Sequence, residues 1–394
     1  MRPRLGLSAP AVLFALVAGA CLGNGNGVEV APLEAEPTVD AQTTTASTTD
    51  SITASTTTIA EAVVTTTTVQ AGPVAPFTGL PAESEAASTA SAFVVKIGNN
   101  NDQSRPQAGL AEADIVYEEL VEGLKTRFAA VFQTQAPPQV GPVRSARTTD
   151  VELLAGLGTP AFVFSGANTP TLAELREAAD RGVFVDAGAL RRLDPYFRLG
   201  SRSAPYNLWV DMEMIDYSGS GVPSAVLSYG ELPEGMGSEI GGVEITYQAS
   251  FGRQATHLWD PAAGGWVRVQ DGSLHTVLRG DEEVEIAPAN VVVLHVVYEI
   301  SPADPASPEA RSFDSGPVQV FTRGQVVDGT WTRSQQAPVW NLTDHSGEAI
   351  SLQAGSTWLI LAAADGSRFP AAHIATFDPA EAAARLNTAR AARA

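Results

Sequence analysis

The sequence predicts an α+β or α/β protein in which an N-terminal layered α/β domain (76–225) is followed by a mostly antiparallel β-rich domain (240–375). Two observations carry this reading. Residues 91–220 alternate short β-rich apolar runs with helix-like segments, the pattern of a sheet covered by helices. Residues 240–375 hold short β-rich runs separated by Asx-Gly and Gly-Gly pairs, which are hairpin signals. At 394 residues and 44% hydrophobic content, the chain is long and apolar enough for about two such cores.

In chain order, Met1–Ala20 comes first. It has a basic start (Arg2, Arg4) and an apolar run from Ala9, too short for a comfortable membrane span, so it reads as a signal peptide. Ala18, Gly19 and Ala20 stand directly before Cys21, the only cysteine, and resemble a bacterial lipobox. Residues 1–21 are therefore expected to be a lipoprotein signal, with Cys21 lipidated and the mature chain held on the membrane by acyl chains, each buried methylene adding about 0.8 kcal/mol. Residues 22–75 form an acidic, Thr-rich tether. Fourteen threonines lie between Thr38 and Gly72, and the stretch cannot bury enough apolar surface to offset its ordering entropy.

Beyond the tether, Ala92–Ile97, Asp114–Val121 and Arg127–Gln133 read as strands, and Asp150–Leu157 as a short helix. Pro160–Ser165 reads as a buried strand. A helix then runs to Ala179, with Thr169 at its cap and Pro170 at its first position or, alternatively, with Thr171 and Glu174 as a capping box, followed by a strand at Val183–Asp186. Pro205–Ile215 is expected to be helical. In the second half, strands are expected at 243–247, 256–259, 266–269, 291–297, 318–321, 324–333, 349–352 and 357–361. Turns are expected at Asp271-Gly272 and Asp328-Gly329 among others, and a Pro/Ala/Ser loop at Ser301–Pro308. Residues 376–394 form an Ala/Arg helix or a tail.

Composition removes several function classes. One cysteine cannot form an internal disulfide. The net charge of −20, with −14 of it on residues 91–394, would repel polyphosphate, so no nucleic-acid partner is expected. The five histidines are scattered without metal-ligand spacing, and there is no P-loop or dinucleotide fingerprint, so neither a metal nor a cofactor is expected.

The segments GLAEADIVYEELVEG (109–123), TRF (126–128) and GPVRSAR (141–147) resemble the YerB-like bacterial lipoproteins, a family defined as a domain of unknown function. PFTGLP (76–81) and RPQAGL (105–110) resemble it too, as do ANVVVLHVV (289–297), DGTWTR (328–333) and GSTWLIL (355–361) in the second half. The resemblance spans roughly residues 76–365. It implies an envelope lipoprotein with an α/β region and a β-rich region, and it implies no reaction.

The residues themselves mark one cluster as a candidate site. On a strand, Glu118 and Glu122 share a face, and Thr126 and Arg127 follow them. Arg144, Ser145 and Arg147 lie in a loop leading into a helix start, where guanidinium groups and free backbone N–H groups suit a carboxylate or phosphate. Ser165 and Asn168 occupy a strand–loop–helix junction, a common ligand position in α/β folds. The expected role is that of an extracytoplasmic, membrane-anchored protein binding a cell-wall component or an envelope protein, rather than an enzyme. The alternative is a cell-wall hydrolase or transferase with Glu118 or Glu122 as acid/base. The competing structural account is an ion-pair network that pins a loop.

Overall fold

A computed structural model describes residues 72–248 and 253–393. The expected signal, Cys21 and nearly all of the tether lie outside the described residues. Among the described residues, no helix is long and apolar enough to cross a membrane.

The described chain is β-rich in both halves. Its main element is a twelve-stranded sheet. The path runs through the strands Ser238–Glu239, Gln325–Arg333, Asp314–Thr322, Asn290–Ser301, Thr357–Ala363, Ile115–Val121, Lys125–Phe132, Phe93–Asn99, Ala161–Val163 and Val185–Asp186, with Asp304–Arg311 and Asn341–Asp344 pairing off it. Thr357–Ala363 joins the two halves of the sequence. It lies parallel to Asn290–Ser301 on one side and to Ile115–Val121 on the other. Every residue of this strand is buried, which explains a continuous apolar run (TWLILAA) in place of an alternating one.

The strands of the first half follow from their sequence. Ile115–Val121 and Lys125–Phe132 pair antiparallel through a three-residue connection in which Gly123 (φ 69°) and Leu124 (φ 54°) take left-handed conformations. Ala161–Val163, the helix Thr169–Asp180 and Val185–Asp186 form a parallel β–α–β unit at the edge of the sheet.

A second sheet of five strands comprises Ser273–Leu274, Gly265–Gln270, Arg253–Asp260, Gly242–Gln248 and His373–Phe377. Its Asp271-Gly272 hairpin has positive φ at both residues (52° and 80°), as a type I′ turn requires. The helix Pro379–Ala391 packs on this sheet through Ala382 and Leu386, and the Asp378 side chain caps it by accepting from Glu381 N at 2.8 Å. Two three-stranded sheets complete the fold. One holds Gln107–Ala108, Thr276–Arg279 and Glu282–Glu285; the other holds Gln139–Val140, Leu208–Asp211 and Tyr196–Arg198.

Four expectations are corrected. Pro205–Ile215 is not helical: Leu208–Asp211 is a strand, held between Gln139–Val140 and Tyr196–Arg198 with Leu208, Trp209 and Val210 buried, and only Met212–Met214 turns as a 3₁₀ helix. Cross-strand pairing of a β-rich Leu-Trp-Val run outweighs weak helix propensity there. Ser301–Pro308 is not a loop: Asp304–Arg311 is a strand beside Asn290–Ser301. It pairs on one side alone, so its prolines need not donate to a ladder. Asp328-Gly329 lies inside the Gln325–Arg333 strand, where Gly329 lets the Thr343 carbonyl approach; the hairpin turn is instead at Arg323-Gly324. The cap of the Thr169–Asp180 helix is Asn168, one residue before the expected Thr169.

Candidate functional site

The end of the Ile115–Val121 strand gathers most of the site. Glu118 and Glu119 are adjacent, so their side chains leave opposite faces of the sheet. Both are fully buried. Glu118 accepts two hydrogen bonds from Arg268 Nη2, at 3.0 and 2.9 Å, and one from Trp358 Nε1 at 2.9 Å. Arg268 Nη1 contacts His275 Nδ1 at 2.6 Å, and His275 Nε2 contacts Gln107 Oε1 at 2.9 Å. Burial, followed by the Arg268 charge, holds His275 well below the usual imidazole range, so the ring is neutral and accepts at Nδ1.

Glu119 is ion-paired to Lys96, and the same ammonium donates to Asp150 Oδ1 at 2.6 Å. One ammonium shared by two buried carboxylates leaves a carboxylate under-compensated. Burial pushes Glu119 above the ordinary carboxylate range, and Lys96 offsets this only in part.

The expectation that Glu118 and Glu122 share a face is overturned. The strand ends at Val121 and Glu122 opens a 3₁₀ turn, so the period-two alternation no longer applies. Glu122 lies with the arginines. Arg147 grips it bidentately, Nε to Oε1 at 2.6 Å and Nη2 to Oε2 at 2.7 Å; Ser307 Oγ also donates to it, and Arg127 Nη2 is 3.8 Å away. Burial alone would raise its pKa, but the bonds from Arg147 and Ser307 outweigh burial and hold it at about 2.

The other candidates converge on this corner. Arg127 Nη1 donates to the Ser145 carbonyl at 2.8 Å. The Ser165 amide donates to the Arg144 carbonyl, and the Ala146 amide to the Gly166 carbonyl, both at 3.0 Å. Asn168 Oδ1 caps its helix by accepting from Thr171 N at 2.9 Å, while its Nδ2 donates to Asp304 Oδ2 at 3.1 Å. That carboxylate also lies 2.9 Å from Ser307 Oγ, whose one proton serves either Asp304 or Glu122, so the three side chains meet at this hydroxyl. Seven of the eight candidates, Glu122, Arg127, Arg144, Ser145, Arg147, Ser165 and Asn168, thus share one rim, and Glu118 lies apart from them.

Two expected features of the rim differ. The start of the Thr149–Leu154 helix does not offer all its N–H groups, because the Asp150 and Val151 amides donate to the Arg147 and Thr148 carbonyls, both at 3.1 Å; ahead of the helix, the Arg147 amide donates to the Asp150 carboxylate at 2.7 Å. Ser165 is half-buried and joined to the rim through its amide. Residues that composition and spacing did not single out include Lys96, Asp150, Arg268, Tyr206, Asp304 and Ser307. Of these, Lys96 carried a signal: a lysine inside the apolar run Phe93–Ile97 must find a buried partner.

Arg147 and Arg127 stand against Glu122 with Arg144 beside them, and Asp304 is the corner's other part-exposed carboxylate. Arg127 is pushed down to about 9, first by burial and then by the charges of Arg147 and Arg144, which outweigh Glu122 and Glu119. Its Nε and Arg144 Nη1 are buried without a hydrogen-bond partner. The Arg144 guanidinium lies 5.2 Å from the Tyr206 ring centroid.

Comparisons with known proteins agree with this architecture. Residues 77–221 match the model "Protein of unknown function (DUF3048) N-terminal domain", and residues 243–359 match "Protein of unknown function (DUF3048) C-terminal domain". The Bacillus subtilis (strain 168) protein described as "Putative lipoprotein YerB" is 29% identical over 308 residues, covering 72% of this chain and 85% of that protein. The crystal structure of the YerB protein from Bacillus subtilis superposes with a TM-score of 0.64 at 24% identity, over 77% of this chain and 99% of that one, and so supports the shared fold. The two family models together cover more than half of the sequence, and the chain belongs to the YerB-like DUF3048 family.

Proposed function

We propose that this chain is an extracytoplasmic lipoprotein, anchored to the membrane by lipid on Cys21, whose arginine rim binds an anionic group of a cell-wall component or an envelope protein. The carrying observation is three guanidinium groups against two part-exposed carboxylates, Glu122 and Asp304, in a chain whose net charge is −20. Positive charge concentrated against that background suits a carboxylate or phosphate. Arg144 and Arg147 are half-buried, and Arg127, more deeply buried, adds its charge beside Glu122. The lipoprotein reading rests on the lipobox-like Ala18–Cys21 and on the description of the Bacillus relative.

The hydrolase or transferase alternative draws less support. A general acid/base at neutral pH needs a pKa near 7 and access to substrate. Glu118 is sealed against Arg268 and Trp358, and Glu122 is held at about 2.

Two experiments test the proposal. Metabolic labelling with an alkyne fatty acid should mark the wild-type chain and not Cys21→Ser; equal labelling of both removes the anchor. Calorimetric titration with inorganic phosphate and with acetate should give saturable binding to the wild type. Arg144→Gln/Arg147→Gln should lose it while staying folded, at a melting temperature lowered by loss of the Arg147–Glu122 pair, and retained binding in that variant removes the rim.

A further inference from the structure

Beside the rim is a polar cavity, of about 270 Å³, lined by Gln103, Arg105, Ser201, Arg202, Ser203 and Tyr206. Tyr206 belongs to both places, since it lines the cavity and carries the Arg144 guanidinium over its ring. The rim and the cavity are therefore neighbours across one side chain.

The cavity is built. Arg202 Nη2 donates to the Pro106 carbonyl at 2.7 Å, and its guanidinium stacks 5.5 Å from the Trp209 ring centroid, which fixes its direction. Arg105 donates to Asn99 Oδ1 at 3.3 Å and pairs with Asp102, and its side chain is 13% exposed. Two oriented guanidinium groups, two serine hydroxyls, one amide and one phenol line the space, and no carboxylate is among the six. Such a lining offers many hydrogen-bond donors and acceptors and one aromatic ring, which suits a hydroxyl-rich ring better than an apolar group. The volume is near the small end of ligand cavities, roughly 300 Å³ upward, and so suits one small ring.

We propose that rim and cavity form one composite site for an acidic saccharide, its carboxylate or phosphate on Arg144 and Arg147 and its sugar ring in the cavity between Tyr206 and Arg202. This deepens the proposed function and rests on it: the rim supplies the anion site and the cavity supplies selectivity for sugar. The charged group alone would bind weakly and without discrimination, whereas sugar hydroxyls satisfied by Ser201, Ser203 and Arg202 would add affinity that a bare anion lacks.

The test uses the mature full chain and NMR titration, following backbone amides of Ser201–Tyr206 and Ser145–Arg147. The probes are glucuronic acid, glucose 6-phosphate, glucose, acetate and inorganic phosphate. Glucuronic acid or glucose 6-phosphate should shift both segments and bind at least tenfold more tightly than the matching bare anion; which of the two binds better distinguishes carboxylate from phosphate. Ser203→Trp, which fills the cavity, and Ser201→Ala/Ser203→Ala should remove that gain while leaving phosphate or acetate binding at the rim unchanged. Sugar acids that bind no better than bare anions, or that shift only 145–147, overturn the composite site and leave the anion rim standing. Failure of every anionic probe to bind overturns both.

Discussion

Glu118 and Glu119, neighbours in sequence, face away from each other across the central sheet, Glu118 toward Arg268 and Glu119 toward Lys96. One strand thereby locks two packed layers with charge, and only the region around Glu122 at its end reaches solvent. Four consequences follow for stability and for the site.

Removing Glu118 leaves Arg268 buried without its carboxylate, because the guanidinium is fully enclosed beside Phe128 and Trp358. Glu118→Ala is expected to cost about 3–5 kcal/mol. Replacing both partners by apolar residues of similar volume (Glu118→Met with Arg268→Met) should cost much less. Urea denaturation of the three proteins checks this, and equal losses for the single and double variants would contradict it.

The Glu122 pKa sits below its ordinary value of 4.5, at about 2, so its contribution to stability is present above 4.5 and is lost as pH falls through about 2. Glu119 contributes with the opposite sign. Its folded pKa is raised, so its contribution is full below the unfolded value and declines as pH rises toward the folded one. Denaturation midpoints of the wild type and Glu122→Gln should differ most near neutrality and converge near pH 2. A difference that does not change with pH would remove the role assigned to the Arg147 pair.

A methyl group at Gly98 would stand 2.8 Å from Arg144 Cγ. Gly98→Ala should therefore displace Arg144 near its root, cost about 1–3 kcal/mol and weaken phosphate binding severalfold. At Gly329 the obstacle is the Thr343 carbonyl, which is backbone, so Gly329→Ala should cost about 1–3 kcal/mol without touching the rim. Melting curves and phosphate titration of both variants separate the two effects.

Asn168→Ala removes a helix cap and the bond to Asp304, and should cost about 0.5–2 kcal/mol. Asn168→Asp should keep the cap but place a second carboxylate against Asp304. If the Asn168–Asp304 contact steadies the rim, phosphate affinity should fall more in Asn168→Asp than in Asn168→Ala, which calorimetry reads.

Local pattern carried much of the fold. The β-rich segments Asp114–Val121 and Ala92–Ile97 became strands, buried on both faces, and the Asn-Thr-Pro start became a capped helix, because pairing propensity and capping act locally there. What sequence could not show was non-local. The placing of Thr357–Ala363 between strands of both halves depends on two partners that both lie far earlier in the sequence, Asn290–Ser301 and Ile115–Val121. Asp304–Arg311 was hidden by its prolines, which an unpaired edge tolerates. The site was legible as a set of residue types, Arg and Glu in one block, while its geometry was not. A strand ending one residue before Glu122 was enough to separate it from Glu118. Arg268 could not be foreseen as the partner of Glu118, since 150 residues separate them.

The arginine rim is tested most directly by following the Nε–Hε resonances of the arginines in the full chain during titration with inorganic phosphate. The signals of Arg144 and Arg147 should shift and saturate together, with those of Arg268 and Arg333, both enclosed in the core, unmoved. If the Arg144 and Arg147 signals stay in place up to high phosphate, the corner is an internal ion-pair network and binds no anion.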